Sequence, residues 1–215
     1  MKETMTVHKA LSELKVLDAR INKELGEMKF VVANKHNNAK IDGKNIADFC
    51  ASMKEKYQSV ISLIHRRNAI KAAVIMSNAT TKVSVAGKTY TVAEAIDMKS
   101  NGIQYTKNIL DKLETQYRSA NKTAEKENGS MLESRADSYM TTMYAASDLK
   151  NMSDEIKKVR DAFVASQTID LIEIVNATKE MDALRNDIDN FMSEVDSALS
   201  VSNALTTINI EYETV

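Results

Sequence analysis

Not one proline occurs in this 215-residue chain, and glycine occurs only five times. Proline costs about 3 kcal/mol inside a helix and glycine about 1, so a chain nearly free of both can run long uninterrupted helices. Methionine, present 12 times, forms helix well and packs adaptably along helix-on-helix seams. Hydrophobic residues at 43% and charged residues at 27% give enough core-forming material to exclude a disordered chain.

Apolar residues recur every three or four positions in several stretches, which is the period of one helix face. Val7, Leu11, Leu14, Leu17, Ile21, Leu25 and Met28 predict a helix over about 7–30, capped by Thr6. Ile46, Phe49, Met53, Tyr57, Val60 and Ile64 predict one over about 44–77, and further stripes predict helices over about 92–127, 131–150, 154–166 and 178–200. Thr91–Glu94 and Ser130–Glu133 have the capping-box pattern, Ser153 reads as an N-cap, and Asn128-Gly129 reads as a stop. Thr81–Val85 and Lys88–Val92 alternate around Ala86-Gly87, the signature of a tight hairpin over 81–92. The β-branched run Thr168–Val175 reads as a strand or a buried connector, and the alternating tail 207–212 as a strand. The expected fold class is mainly all-α: a single helical domain over 1–215, an elongated bundle with coiled-coil-like helices and a small β-hairpin. Narrow apolar stripes are the seams of coiled coils and are completed by a second copy, so a homo-oligomer is expected.

The single cysteine, Cys50, excludes an internal disulfide, suits a reducing compartment and reads as a small core residue beside Phe49. No apolar leader follows Met1, and no window approaches the roughly 18 apolar residues of a membrane span. A cytoplasmic location is expected, in the host cytoplasm if the chain is phage-encoded, with no membrane partner. Net charge is −1, which speaks against extended nucleic acid as a partner. The charge is uneven, however. From Lys54 to Tyr90 seven Lys/Arg face Glu55 alone, whereas from Asp154 onward thirteen Asp/Glu outnumber five Lys/Arg. The two regions are expected to face each other, or the basic one to face an anion.

No chemistry-bearing motif accompanies this pattern. His8, His36 and His65 lack a second ligand at metal spacing, so no metal or other cofactor is expected. Gly87-Lys88-Thr89 resembles the end of a phosphate loop, but Lys82 stands where its first glycine belongs. There is no nucleophile elbow, and Asp182, Asp187 and Asp189 read as a solvated helix face. One constellation remains. The second helix's stripe, continued from Val60 and Ile64, meets Arg67, Lys71 and Val74, placing two cations on an apolar line. Arg66 and Asn68 share that turn, and Asn78, Lys88 and Tyr90 follow close by. Either Arg67 and Lys71 pair with acids of the C-terminal half, or Arg66, Arg67, Asn68, Lys71, Asn78, Lys88 and Tyr90 line a pocket for an anionic, nucleotide-like ligand.

The run Leu63-Ile64-His65-Arg66-Arg67-Asn68, then Asn78-Ala79-Thr80, then Gly87-Lys88-Thr89-Tyr90-Thr91-Val92-Ala93-Glu94-Ala95, resembles a family of helical bacterial and phage proteins labelled septicolysin-like. Met181–Arg185, Asp189, Val195-Asp196 and Asn203 are similar to its terminal helix. The resemblance implies a helical protein with a small hairpin and no established catalytic residues. It further implies lysin-type membrane damage, for which the chain has no strongly amphipathic membrane-seeking segment. Three functions are compatible with these readings. The first is a non-enzymatic, oligomeric, phage-associated binding protein that sequesters an anionic small ligand such as a nucleotide immune signal. The second is a phage virion or assembly component built on helix contacts. The third is an enzyme acting on a phosphorylated substrate.

Overall fold

A computed structural model describes residues 1–144 and 153–212. The fold is mainly α-helical, with three two-stranded antiparallel sheets among the described residues. Contacts divide the chain into two compact units, residues 1–102 with 190–215, and residues 103–189.

The first unit opens with strand β1 (Lys2–Thr6), which passes directly into helix α1 (Val7–Glu27). The Thr6 side chain accepts from the N–H of Lys9 and so caps α1 as expected. The helix stops three residues short of the predicted 30, because Met28 turns extended before the β-branched Val31-Val32. Lys40–Ile41 (β2) and Lys44–Asn45 (β3) form a minimal hairpin around Asp42-Gly43, both at positive φ. Helix α2 (Ile46–Thr80) therefore starts two residues later than predicted, capped by Asn45, and runs three residues further. The predicted hairpin forms: β4 (Lys82–Val85) pairs with β5 (Lys88–Thr91) across Ala86-Gly87. Both turn residues have positive φ, as a two-residue turn of the twist-matched type requires.

Thr91 and Glu94 form the expected reciprocal capping box on α3 (Val92–Asp97). The third predicted helix is not continuous α-helix: Met98–Gly102 is a π-helical turn before α4 (Ile103–Asn128). The first unit closes with the end of α7 (Ala177–Leu205) and strand β6 (Thr207–Glu211), which pairs with β1 from Lys2↔Glu211 to Thr6↔Thr207. Beneath this ribbon Met5, Val7, Leu14, Ile70, Val74, Ile208 and Ile210 form a buried cluster. Cys50 is exposed rather than in the core. Phe49 is the inward residue, and its neighbour lies about 100° around the helix.

The second unit contains α4, α5 (Ser130–Tyr144), α6 (Asp154–Gln167) and the start of α7. Gly129 ends α4, its N–H bonding to the carbonyl of Glu125. The Ser130–Glu133 capping box does not form. Ser130 lies inside the first turn, the Gly129 carbonyl accepts from Leu132, and Glu133 instead pairs with Arg160. Residues 145–150 of the fourth predicted helix lie outside the described residues. Ser153 caps α6 as expected. Residues 168–176 form neither a strand nor a buried connector; Ile172 is 91% and Ile174 98% exposed.

Candidate functional site

The basic turn of α2 is where sequence and structure meet. Arg66 lies beside the ribbon of the two chain ends, because β1 and β6 pair over α1 and α2. Its guanidinium makes three hydrogen bonds: Nε to Glu13 at 2.5 Å, Nη2 to Glu3 at 2.8 Å and Nη1 to the Tyr212 hydroxyl at 2.5 Å. The Tyr212 ring lies under it, 5.2 Å from the guanidinium carbon to the ring centroid, a cation–π distance. The ribbon fixes these partners. The N-terminal amine of Met1 donates to the Tyr212 carbonyl at 2.7 Å, and the Tyr212 N–H donates to the Met1 carbonyl at 3.2 Å.

The electrostatics follow from that geometry. The Arg66 pKa is raised, first by its bond to Glu13, then by those to Glu3 and Tyr212, with burial opposing. The Glu3 carboxyl is held below its ordinary range, chiefly by the hydrogen bond from Arg66. Three of the five N–H donors of this half-buried cation are engaged, and two carboxylates already offset its charge, which disfavours an anionic ligand there.

The other expected site residues separate. Arg67 bonds to Asp18 at 2.9 Å and to its neighbour Asn68 at 3.3 Å. Lys71 is exposed and makes no ion pair with a described residue. The stripe that carried Arg67 and Lys71 is in fact centred elsewhere: the buried line of α2 runs through Ile70 and Val74 with Leu63 packed against it. Lys71 consequently faces outward. The acids that meet Arg66 and Arg67 come from β1 and α1, not from the C-terminal half as the ion-pair reading expected. Asn78 is half-buried near the end of α2, and Lys88 is exposed beside the hairpin turn. Tyr90 is half-buried and makes a T-shaped contact with Phe191, 5.9 Å between ring centroids. Glu3, Glu13 and Tyr212 carry no local sequence signal, since their roles depend on pairing of the two chain ends.

Four grooves on the described residues include none of the seven expected site residues in their linings. One of about 580 Å³ is lined by Glu114, Tyr117, Arg118, Asn121, Lys122 and Arg185, and the last is itself paired with Glu114 at 2.5 Å. One of about 500 Å³ lies among Phe30, Val32, Ile41, Phe49, Cys50 and Tyr57. An open acidic and hydroxyl-bearing groove of about 760 Å³ follows α5 along Glu133, Asp137 and Thr141. A smaller one of about 210 Å³ lies between Leu113, Tyr117 and Ala120 of α4 and Leu171, Ile172 and Ile174. Among the described residues no group of three or more His, Cys, Asp and Glu side chains could hold a metal ion. No described helix is long and apolar enough to cross a membrane. No family model, curated protein or solved structure matches the chain.

Proposed function

We propose that this chain is a non-enzymatic helical scaffold that works by self-association, as a component of a larger assembly. The observation that carries this reading is the contrast between satisfied charge and unsatisfied apolar surface. The cations expected to bind a ligand, Arg66 and Arg67, are engaged by Glu3, Glu13 and Asp18. Large apolar side chains meanwhile stand in water: Val31 is 92%, Ile172 91% and Ile174 98% exposed. Exposed apolar surface of this kind favours association by the hydrophobic effect. Coiled-coil-type contacts between long helices would add to it, and a phage origin rests on the septicolysin-like resemblance alone.

A second reading keeps the anionic small ligand, a nucleotide signal being the natural class, with the chain acting to sequester it. It is favoured by Arg118 and Lys122, which share the 580 Å³ groove with Tyr117, Asn121 and the carboxylates of Glu114 and Glu125, and by Lys71, which makes no ion pair with a described residue. Two measurements on the purified chain separate the readings. Light scattering across a concentration series should give a multiple of the one-chain mass, and a one-chain mass at every concentration sinks the scaffold. A thermal scan with nucleotides and cyclic nucleotides should leave the transition unmoved. A ligand at a hundredfold excess over its Kd would instead add about 2.7 kcal/mol to the native state, and such a shift would install the second reading.

A further inference from the structure

The groove of about 500 Å³ lies wholly within the first unit, between α2 and the connection that precedes it. Ile46, Phe49, Met53 and Tyr57 recur at steps of three and four, so one face of α2 lines it. Phe30, Val32 and Ile41 line it from the connection, and the rings of Phe30 and Tyr57 meet edge-to-face at 6.1 Å between centroids. Phe49 is buried, whereas Phe30, Ile46 and Tyr57 are 68%, 42% and 48% exposed. The groove therefore has a covered base and an apolar rim that meets water. Its volume is within the roughly 300–1,000 Å³ of small-molecule sites. From Ile46 to Tyr57 the α2 wall is roughly 16 Å long at about 1.5 Å per residue, the reach of a medium-length alkyl chain.

We propose that this groove binds a single-chain amphiphile with one negative charge, a free fatty acid being the class. The apolar lining selects the chain, and the polar lining selects the head. Lys29 is held by Asp42 at 2.6 Å, and Asn34 exchanges two hydrogen bonds with Asn38, at 2.8 and 3.0 Å. Lys54 is left: it is exposed and makes no ion pair with a described residue, while Lys56 on the same helix holds Glu27 at 3.0 Å. No carboxylate is among the described residues that line this groove, whereas Glu133, Glu173 and Glu114 stand in the linings of the other three. A carboxylate beside Lys54 thus meets a cation and no repelling neighbour, next to apolar surface that strengthens the attraction. One free ammonium suits a single charge, and the lining lacks the forked donors that recognise a phosphate group. The site goes beyond the scaffold reading and does not rest on it.

Cys50, the one cysteine of the chain, is exposed in the lining and reports occupancy. The full chain is alkylated with iodoacetamide, an uncharged reagent, against rising laurate or dodecyltrimethylammonium, each kept below its micelle-forming concentration. Laurate should slow alkylation saturably by about tenfold, because a covered thiol does not react, and the cation of equal chain length should leave the rate within about twofold. Lys54→Glu, at an exposed helix position and checked by circular dichroism, should reverse that order, and Lys54→Arg should keep it. Each variant is compared with its own unliganded rate, so a change in thiol reactivity does not count as binding. Equal protection by the two amphiphiles, or protection by laurate that Lys54→Glu leaves intact, reduces the groove to an unselective apolar patch and overturns the proposal. Alkylation that laurate leaves unchanged overturns it as well. If the rate then falls as the chain's own concentration rises, the groove belongs to a second copy, and if it falls with anionic lipid vesicles, to a membrane surface.

Discussion

The phenol of Tyr212 accepts a hydrogen bond from Arg66 across 146 positions of sequence, at 2.5 Å, while its ring lies beneath the same guanidinium. With Glu3 and Glu13 on the other donors, one side chain of α2 ties together both chain ends and α1. Removing it leaves Glu13 without its cation and Glu3 with only the longer, exposed contact to Lys9 at 3.7 Å. Arg66→Ala should therefore lower stability by about 2 kcal/mol, the scale of a lost charge-assisted hydrogen-bond set in a partly buried site. For a chain of this length that is a fall of about 4–8 °C in the thermal midpoint. Arg66→Lys restores the charge but not the fork, and should recover less than half of the loss. A wild-type midpoint in both variants would show that the cluster is dispensable to the fold.

Arg67 makes the contrasting case. Its partner Asp18 has a side chain 51% exposed, and the pair is single rather than forked. Exposed pairs contribute about 0.2–1 kcal/mol and weaken with salt. Asp18→Asn should thus move the midpoint by no more than about 4 °C, with the difference shrinking in molar salt. A loss as large as that of Arg66→Ala would mean that Arg67 anchors the α1–α2 contact.

Local signals were legible in the sequence, and pairings between distant residues were not. The hairpin at 82–91 announces itself because its alternation and turn lie within ten residues of each other, and Thr6, Thr91 and Ser153 are caps that act within three residues of themselves. Strand β1 went unread, because Lys2–Thr6 becomes a strand only through β6, some two hundred residues away. The cation cluster misled for a related reason. Steps of three and four from Val60 fit a line through Ile64 and Lys71 as well as one through Leu63 and Ile70, and only the packing of α1 and the ribbon selects the second. Once the face is fixed, Lys71 turns to solvent and Arg66, off the predicted stripe, becomes the paired residue. Ser130–Glu133 shows the limit of a capping pattern, since Arg160 competes for the glutamate that the box requires.

The pH dependence should carry the signature of the same cluster. The Glu3 carboxyl is lowered from 4.5 chiefly by its bond from Arg66, and that of Glu94 chiefly by the N–H of Thr91. A carboxyl whose folded-state value is depressed stabilises the fold above its unfolded value, and that contribution is lost as pH falls through the depressed value. The thermal midpoint should be level from neutral pH down to about 5 and decline below 4.5. In Arg66→Ala, where the largest cause of the Glu3 shift is gone, the acid decline should be shallower. Parallel curves for the two proteins would show that Arg66 does not hold Glu3.

Ile210 tests the ribbon from its buried side. It is 2% exposed and packs in the cluster with Met5, Ile70 and Val74. Ile210→Ala removes buried methyl and methylene groups and leaves a cavity, a change that costs about 2–5 kcal/mol. Asn209→Ala, on the exposed face of the same strand and bonded only to Thr4 at 2.7 Å, should cost about 1 kcal/mol or less. Denaturant unfolding of the two variants checks the ordering, and equal losses would mean that β6 is held by its ladder rather than by its apolar face.

The hairpin turn offers a change in the opposite direction. Ala86 sits at φ 50° and Gly87 at φ 72°, and both belong to the left-handed region. Glycine occupies it freely, whereas alanine there brings its Cβ close to the carbonyl oxygen, a strain of about 1–2 kcal/mol. The native protein holds alanine in place partly through its N–H, which donates to Glu194 at 2.7 Å. Asparagine tolerates the left-handed region better than alanine and, with a following glycine, makes the preferred two-residue turn. It also keeps the N–H that Glu194 accepts. Ala86→Asn should raise stability by about 0.5–1 kcal/mol, read as a rise of about 1–4 °C in the thermal midpoint. Gly87→Ala, which adds a Cβ at the second left-handed position, should lower it by a similar amount. If Ala86→Asn lowers the midpoint instead, the strain at this turn is smaller than the contacts that the alanine methyl makes.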